Sequence, residues 1–202
     1  RLIVANRTLE RAHALAASLT ACASGGGSSA AGDKIKVGIK FDQPGIGLKT
    51  GDTYSGLDVD VATYIAGKLG KQPSQIEWVQ APSAQRETLI STDQVKYIVA
   101  TYSITDARKQ SVSFAGPYLI AGQDLLIRSD DTSITGPDTL AGKKLCSVTG
   151  STSAQNIQKK YPDVQLQELG TYSECVSALV AKGVDALTTD DTILAGYAAQ
   201  EQ

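Results

Sequence analysis

Methionine is absent from the 202 residues, histidine occurs once, at position 13, and aromatics make up 5%. A single His with no paired-cysteine knuckle excludes the usual zinc arrangements, so no metal and no cofactor is expected. Net charge is −2, so no basic field argues for nucleic acid. No apolar run approaches the length that crosses a membrane as a helix. Three cysteines leave one unpaired whatever the other two do.

The richest chemistry lies between Ala100 and Phe114. An apolar run (Val95, Tyr97, Ile98, Val99) reads as a buried strand, followed by hydroxyls at Thr101, Ser103 and Thr105 and a guanidinium at Arg108. A strand end opening into a helix start suits an anion, because free N–H groups and the helix dipole favour negative charge there. Arginine grips a carboxylate with two parallel hydrogen bonds. The plainer alternative is an N-cap at Thr105 or Asp106 with a solvated Arg108.

Strand and helix alternate along the chain. Lys34–Lys40 reads as a strand, and 41–56, with Pro44 and Gly45, Gly47, Gly51 and Gly56, as a loop. Leu57, Val61, Ile65 and Leu69 have helical spacing, ended by Gly70. Ile76–Val79 reads as a strand, Ser83–Ile90 as a helix and Val95–Thr101 as a strand. After 123–128, the stretches 143–147, 164–168 and 186–189 read as strands, with helices over 151–161 and 171–181. This alternation predicts a mostly parallel α/β sheet with ligand at the carboxyl ends of its strands. Lys40, Ser83 and Thr101 fall near such ends.

Seven pieces in order carry a resemblance: 37–45 (VGIKFDQPG), 55–62 (SGLDVDVA), 82–90 (PSAQRETLI), 100–105 (ATYSIT), 116–119 (GPYL), 145–152 (LCSVTGST) and 184–190 (VDALTTD). From about Lys34 to Tyr197 the chain resembles the amino-acid solute-binding proteins of ABC importers, with the type 2 periplasmic-binding fold. Within them it is most similar to the glutamate-binding lipoproteins of Gram-positive bacteria. The resemblance implies an α/β protein of two lobes, lobe 1 over 33–122 and lobe 2 over 123–202, entered through Gly116–Leu119, with ligand in the cleft between them. It implies a chain that later returns to lobe 1, so those closing elements are expected to lie beyond Gln202. It also implies a monomer that delivers a polar amino acid, glutamate favoured, to a membrane permease.

The ends read differently. Leu19-Thr20-Ala21-Cys22 followed by the Gly/Ser/Ala tract 23–32 is similar to a lipobox and tether. Cys22 is then the lipidated residue of an extracytoplasmic protein anchored to the cell membrane. Residues 1–18 are interrupted by Arg7, Glu10, Arg11 and His13, against a signal peptide. They resemble a fragment of glutamyl-tRNA reductases, without the glycine fingerprint of a cofactor site.

The site residues follow from charge matching and the resemblance. An amino acid brings an α-carboxylate and an α-ammonium, and both must be paired on burial. Arg108 with Ser103 is expected to take the carboxylate. By resemblance Ser151 or Thr152 clamps it from lobe 2; a plain N-cap is the alternative reading of that turn. Asp190, with the Thr101 carbonyl or hydroxyl, is expected to take the ammonium, and Asp191 is positioned to exchange roles with it. Lys40 and Arg86 match positions that are basic in glutamate binders, and Ser83 lies three residues before Arg86 on one helix face. Two cations and a hydroxyl favour an acidic side chain over its amide. Phe41 is a candidate apolar wall and Trp78 a candidate core residue. Lys96 replaces an acidic residue usual in the resembled family, which predicts lower stability. The resemblance places cysteines at Cys146 and Cys175, a disulfide outside the cytoplasm; two buried thiols are the alternative. A binding protein rather than an enzyme is expected. The rivals are a periplasmic dehydratase on the same fold, which needs a general acid over its substrate, and a ligand-sensing domain.

Overall fold

A computed structural model describes residues 34–200. Cys22, the tether and residues 1–18 lie outside the described residues. Two α/β layers follow one another. In the first, strands β1 (Ile35–Ile39), β5 (Ile76–Gln80) and β6 (Tyr97–Ile98) form a parallel sheet in the order β5-β1-β6. Helix α1 (Leu57–Lys68) covers one face, packing Val59, Ala62 and Ile65 on Val37 and Ile39. Its stop lies where expected, with the Lys71 N–H reaching back to the Ala66 carbonyl past Gly70.

The stretch 41–56 is a correction to the expected loop. It forms an antiparallel meander of β2 (Asp42–Gln43), β3 (Gly47–Thr50) and β4 (Thr53–Ser55). Gly51-Asp52 makes the two-residue turn between paired Thr50 and Thr53, with Gly51 at φ +59. These strands are too short to show alternation. The helix expected from Ser83 begins as a 3-10 turn, Ser83–Gln85, before α2 (Arg86–Ser91). The strand expected over 95–101 is regular only at Tyr97–Ile98, although the Lys96 and Val99 N–H groups still bond the Lys36 and Gly38 carbonyls of β1, and Thr101 beyond it takes φ +46. Helix α3 (Asp106–Lys109) follows, with Thr105 as its N-cap.

The second layer is a four-stranded sheet in the order β7-β10-β8-β9: Gln123–Ile127, Ala186–Asp190, Lys144–Val148 and Gln165–Leu169. Strand β7, expected only as a crossing segment, is antiparallel to β10; the other pairings are parallel. Helices α4 (Thr152–Lys160), α5 (Tyr172–Val180) and α6 (Asp191–Gln200) complete it. Cys146 of β8 and Cys175 of α5 are joined as a disulfide, with Cα atoms 5.6 Å apart.

Phe41 is a second correction. It packs edge-on against Tyr54, with ring centroids 5.3 Å apart, beneath the Lys49 ammonium, and it does not line the cleft. Trp78 is only partly buried, stacked on Tyr54 at the margin of the first core.

Candidate ligand-binding cleft

The carboxyl ends of both sheets face one narrow cleft. Seven of the nine residues singled out from sequence line it: Ser83, Arg86, Thr101 and Ser103 from the first layer, Ser151, Thr152 and Asp190 from the second. The other two, Lys40 and Arg108, bond lining residues, Ser83 and Ser103 respectively.

Arg86 is the cation of the first wall. It opens α2, is 2% exposed, and donates from Nη1 to the Ala100 carbonyl at 2.8 Å. Its Nε has no hydrogen-bond partner. The guanidinium lies 4.2 Å from the Tyr102 ring, and Arg108 lies 4.9 Å from the same ring. Burial, and next the nearby Arg108, lowers the Arg86 pKa to about 10. Behind it Lys40, 3% exposed, donates from Nζ to Ser83 Oγ at 3.1 Å. Burial, then Arg86, lowers its pKa to about 8. Lys40 thus stands beside Ser83, on the same wall as Arg86.

Arg108 bridges the two layers. Its Nη1 donates to the Ser103 carbonyl at 3.0 Å and its Nη2 to the Gly150 carbonyl at 2.9 Å, while Glu87 lies 3.5 Å from Nε. Beside it Ser103 Oγ and Thr152 Oγ1 meet across the cleft at 3.1 Å. Gly150, at φ +76, has to be glycine for a second reason, since a Cβ there would sit 2.9 Å from the Ala84 Cα of the opposite layer. The cleft is thus closed. Ser151 does cap α4, accepting from the Ala154 N–H at 3.0 Å, while also lining the cleft.

Asp190 ends β10 on the second wall. Burial, then neighbouring Asp191, raises its pKa to about 6, against the pull of Arg86 and Arg108. Sequence reasoning missed Tyr172, which lines the same wall; its hydroxyl interacts with Thr189, Ser151 and Ser147. It also missed Asp58, whose carboxylate accepts from the Thr101 N–H at 3.0 Å and from the Tyr118 hydroxyl at 2.7 Å. Those bonds hold Thr101 in its unusual backbone conformation. Burial raises the Asp58 pKa to about 7. The available signal was position: Asp58 shares the buried face of α1 with Ala62 and Ile65, where an acid needs partners.

The glutamate-binding protein GluB of Corynebacterium efficiens is 50% identical over 199 residues, 91% of this chain and 66% of its own length. That of Corynebacterium glutamicum is 51% identical over 197 residues, 90% and 65%. The chain thus spans just under two thirds of these relatives. Among solved structures, an ancestral arginine-binding protein bound to glutamine matches with a TM-score of 0.78 and 30% identity, covering 83% of this chain and 74% of that one. The bacterial extracellular solute-binding proteins of family 3 match residues 35–197, and the chain belongs to that family.

Proposed function

We propose that the protein captures glutamate outside the cytoplasm and delivers it to an ABC importer. The observation that carries this is the division of charge across the cleft: Ser83 and Arg86, backed by Lys40, on one wall and Asp190 on the other. That pattern complements a zwitterion carrying a second carboxylate. Asp190 and Thr101 take the α-ammonium. Arg108 takes the α-carboxylate in place of the Gly150 carbonyl, beside Ser103, Ser151 and Thr152. Arg86, Ser83 and Lys40 take the distal carboxylate. Glutamate-binding relatives at half identity support the same ligand.

Lobe 1 is assigned to 33–122 and lobe 2 to 123–202, since β7 opens at Gln123 and, among the described residues, pairs only within the second sheet. Cys22 is assigned as a lipid anchor, and the protein as a monomer. Calorimetric titration tests the ligand: glutamate is expected to bind, with glutamine and aspartate at least about tenfold weaker, since a mismatched group leaves a buried charge unpaired. Equal affinity for glutamine would overturn the distal-carboxylate assignment. Recovering the amino acid unchanged from the complex separates binding from turnover.

An extracytoplasmic setting keeps the Cys146–Cys175 disulfide oxidised. The bond joins residues 29 apart in sequence, for which the chain-entropy relation gives about 3–4 kcal/mol. Replacing both cysteines by alanine is expected to lower Tm by about 7–14 °C. A melting temperature unchanged by that substitution and by reductant would reject the bond.

A further inference from the structure

We infer that Asp42 is a latch across the rim of the cleft, a lobe 1 carboxylate that holds lobe 2 closed and sets ligand residence without touching ligand. The reason lies in how α5 starts. The first N–H groups of any helix have no partner inside it. Thr171 caps α5 by a capping box: its Oγ1 accepts from the Glu174 N–H at 3.3 Å, and Glu174 Oε2 accepts from the Thr171 N–H at 2.9 Å. That box leaves the two N–H groups in between, of Tyr172 and Ser173. Both point to Asp42 Oδ2 of the other lobe, at 2.9 and 3.3 Å. A carboxylate there also meets the favourable end of the helix dipole.

A third donor comes from α6. The Tyr197 hydroxyl bonds the Asp42 main-chain carbonyl and stands 3.3 Å from Oδ2. The grip therefore joins β2 of lobe 1 to two helices of lobe 2. It also reaches the binding wall, because Tyr172, whose N–H is held, lines the cleft with its side chain.

The other contacts across the cleft behave differently. Ser103 with Thr152, and Arg108 with Gly150, involve groups assigned to ligand and rearrange when it binds. Asp42 is outside that set, so its bonds form on closure whether or not ligand is present. A contact made only in the closed form raises the closed fraction, and apparent affinity scales with that fraction. The inference rests on the two-lobe fold and not on the identity of the ligand.

The test uses the 202-residue chain. Without ligand, Asp42→Ala is expected to show a larger radius of gyration by small-angle scattering than the parent. With glutamate as probe, stopped-flow dissociation is expected to be about tenfold faster, equivalent to about 1.4 kcal/mol, with association nearly unchanged. Tyr197→Phe, which removes one donor and keeps the ring, is expected to shift both quantities less and in the same direction. A folded Asp42→Ala variant matching the parent in both quantities overturns the latch. If that variant fails to fold, Asp42→Asn and Tyr197→Phe decide by the same two readings. Expansion of the empty variant, in a parent that ignores glutamate, supports the latch and counts against the glutamate reading.

Discussion

Arg86→Met is expected to weaken glutamate binding by at least about thirtyfold while changing glutamine binding far less. Truncating one partner of a buried, hydrogen-bonded charge pair costs about 2–5 kcal/mol, and the distal carboxylate loses its guanidinium partner. Glutamine's amide brings no charge to that position, so its loss is smaller. The change in the ratio of the two affinities separates direct recognition from a structural role, which would weaken both ligands alike. Methionine keeps much of the volume over the Tyr102 ring, where the guanidinium now lies at 4.2 Å.

The empty fold is expected to tolerate this change. Arg86 is 2% exposed and its Nε is unpartnered, so the folded chain carries a desolvated cation with an unmet donor. Removing it relieves burial of charge and leaves the Ala100 carbonyl without its 2.8 Å bond. The two effects oppose each other, and Tm is expected to move by only a few degrees. Such a residue strains the empty protein and repays that only when ligand arrives, as binding residues commonly do. Equal losses for glutamate and glutamine, measured by calorimetry, would reject Arg86 as the distal-carboxylate residue.

Part of this site was readable from strand ends and helix starts, which local signals mark well, and part only through the resemblance to solute-binding proteins. Ser83, Thr101 and Ser103 were marked in the first way, Arg86, Ser151, Thr152 and Asp190 mainly in the second, and all seven line the cleft. The signal failed where a role depends on distant partners. Asp58 looks like an ordinary first-turn acid until Thr101 and Tyr118, 43 and 60 residues away, are seen bonded to it. Lys40 was placed at the cleft from sequence, but its bond to Ser83, 43 residues away, was not visible there. The meander over 42–55 escaped because strands of two to four residues carry no period to detect. In contrast α1 and β1 are long enough for spacing to show, and both fall within one or two residues of the expected bounds.

Glutamate affinity is expected to be level between about pH 6 and pH 8 and to fall on both sides. On the acid side, burial first and Asp191 next hold Asp190 at about 6 in the empty cleft. A ligand ammonium beside it favours the carboxylate, so binding expels a proton below that pH. Affinity then drops by up to about tenfold per unit as pH falls, before glutamate's own side chain titrates near 4.3. On the alkaline side, burial and Arg86 hold Lys40 at about 8. A carboxylate near it favours the ammonium, so binding takes up a proton above that pH and weakens as pH rises. Asp190→Asn is expected to remove the acid limb and Lys40→Met the alkaline one. Stability of the empty protein runs the opposite way in acid. Asp190 at about 6 and Asp58 at about 7 bind protons more tightly folded than unfolded, so unfolding becomes harder as pH falls from about 7 toward 5. The lowered carboxyls of Asp130 and Asp131 matter only below that window. Calorimetric Tm rising while affinity falls over the same pH range is the expected signature of carboxylates kept ready for a cation. If both quantities fall together, general acid destabilisation is the cause and Asp190 is not the ammonium partner.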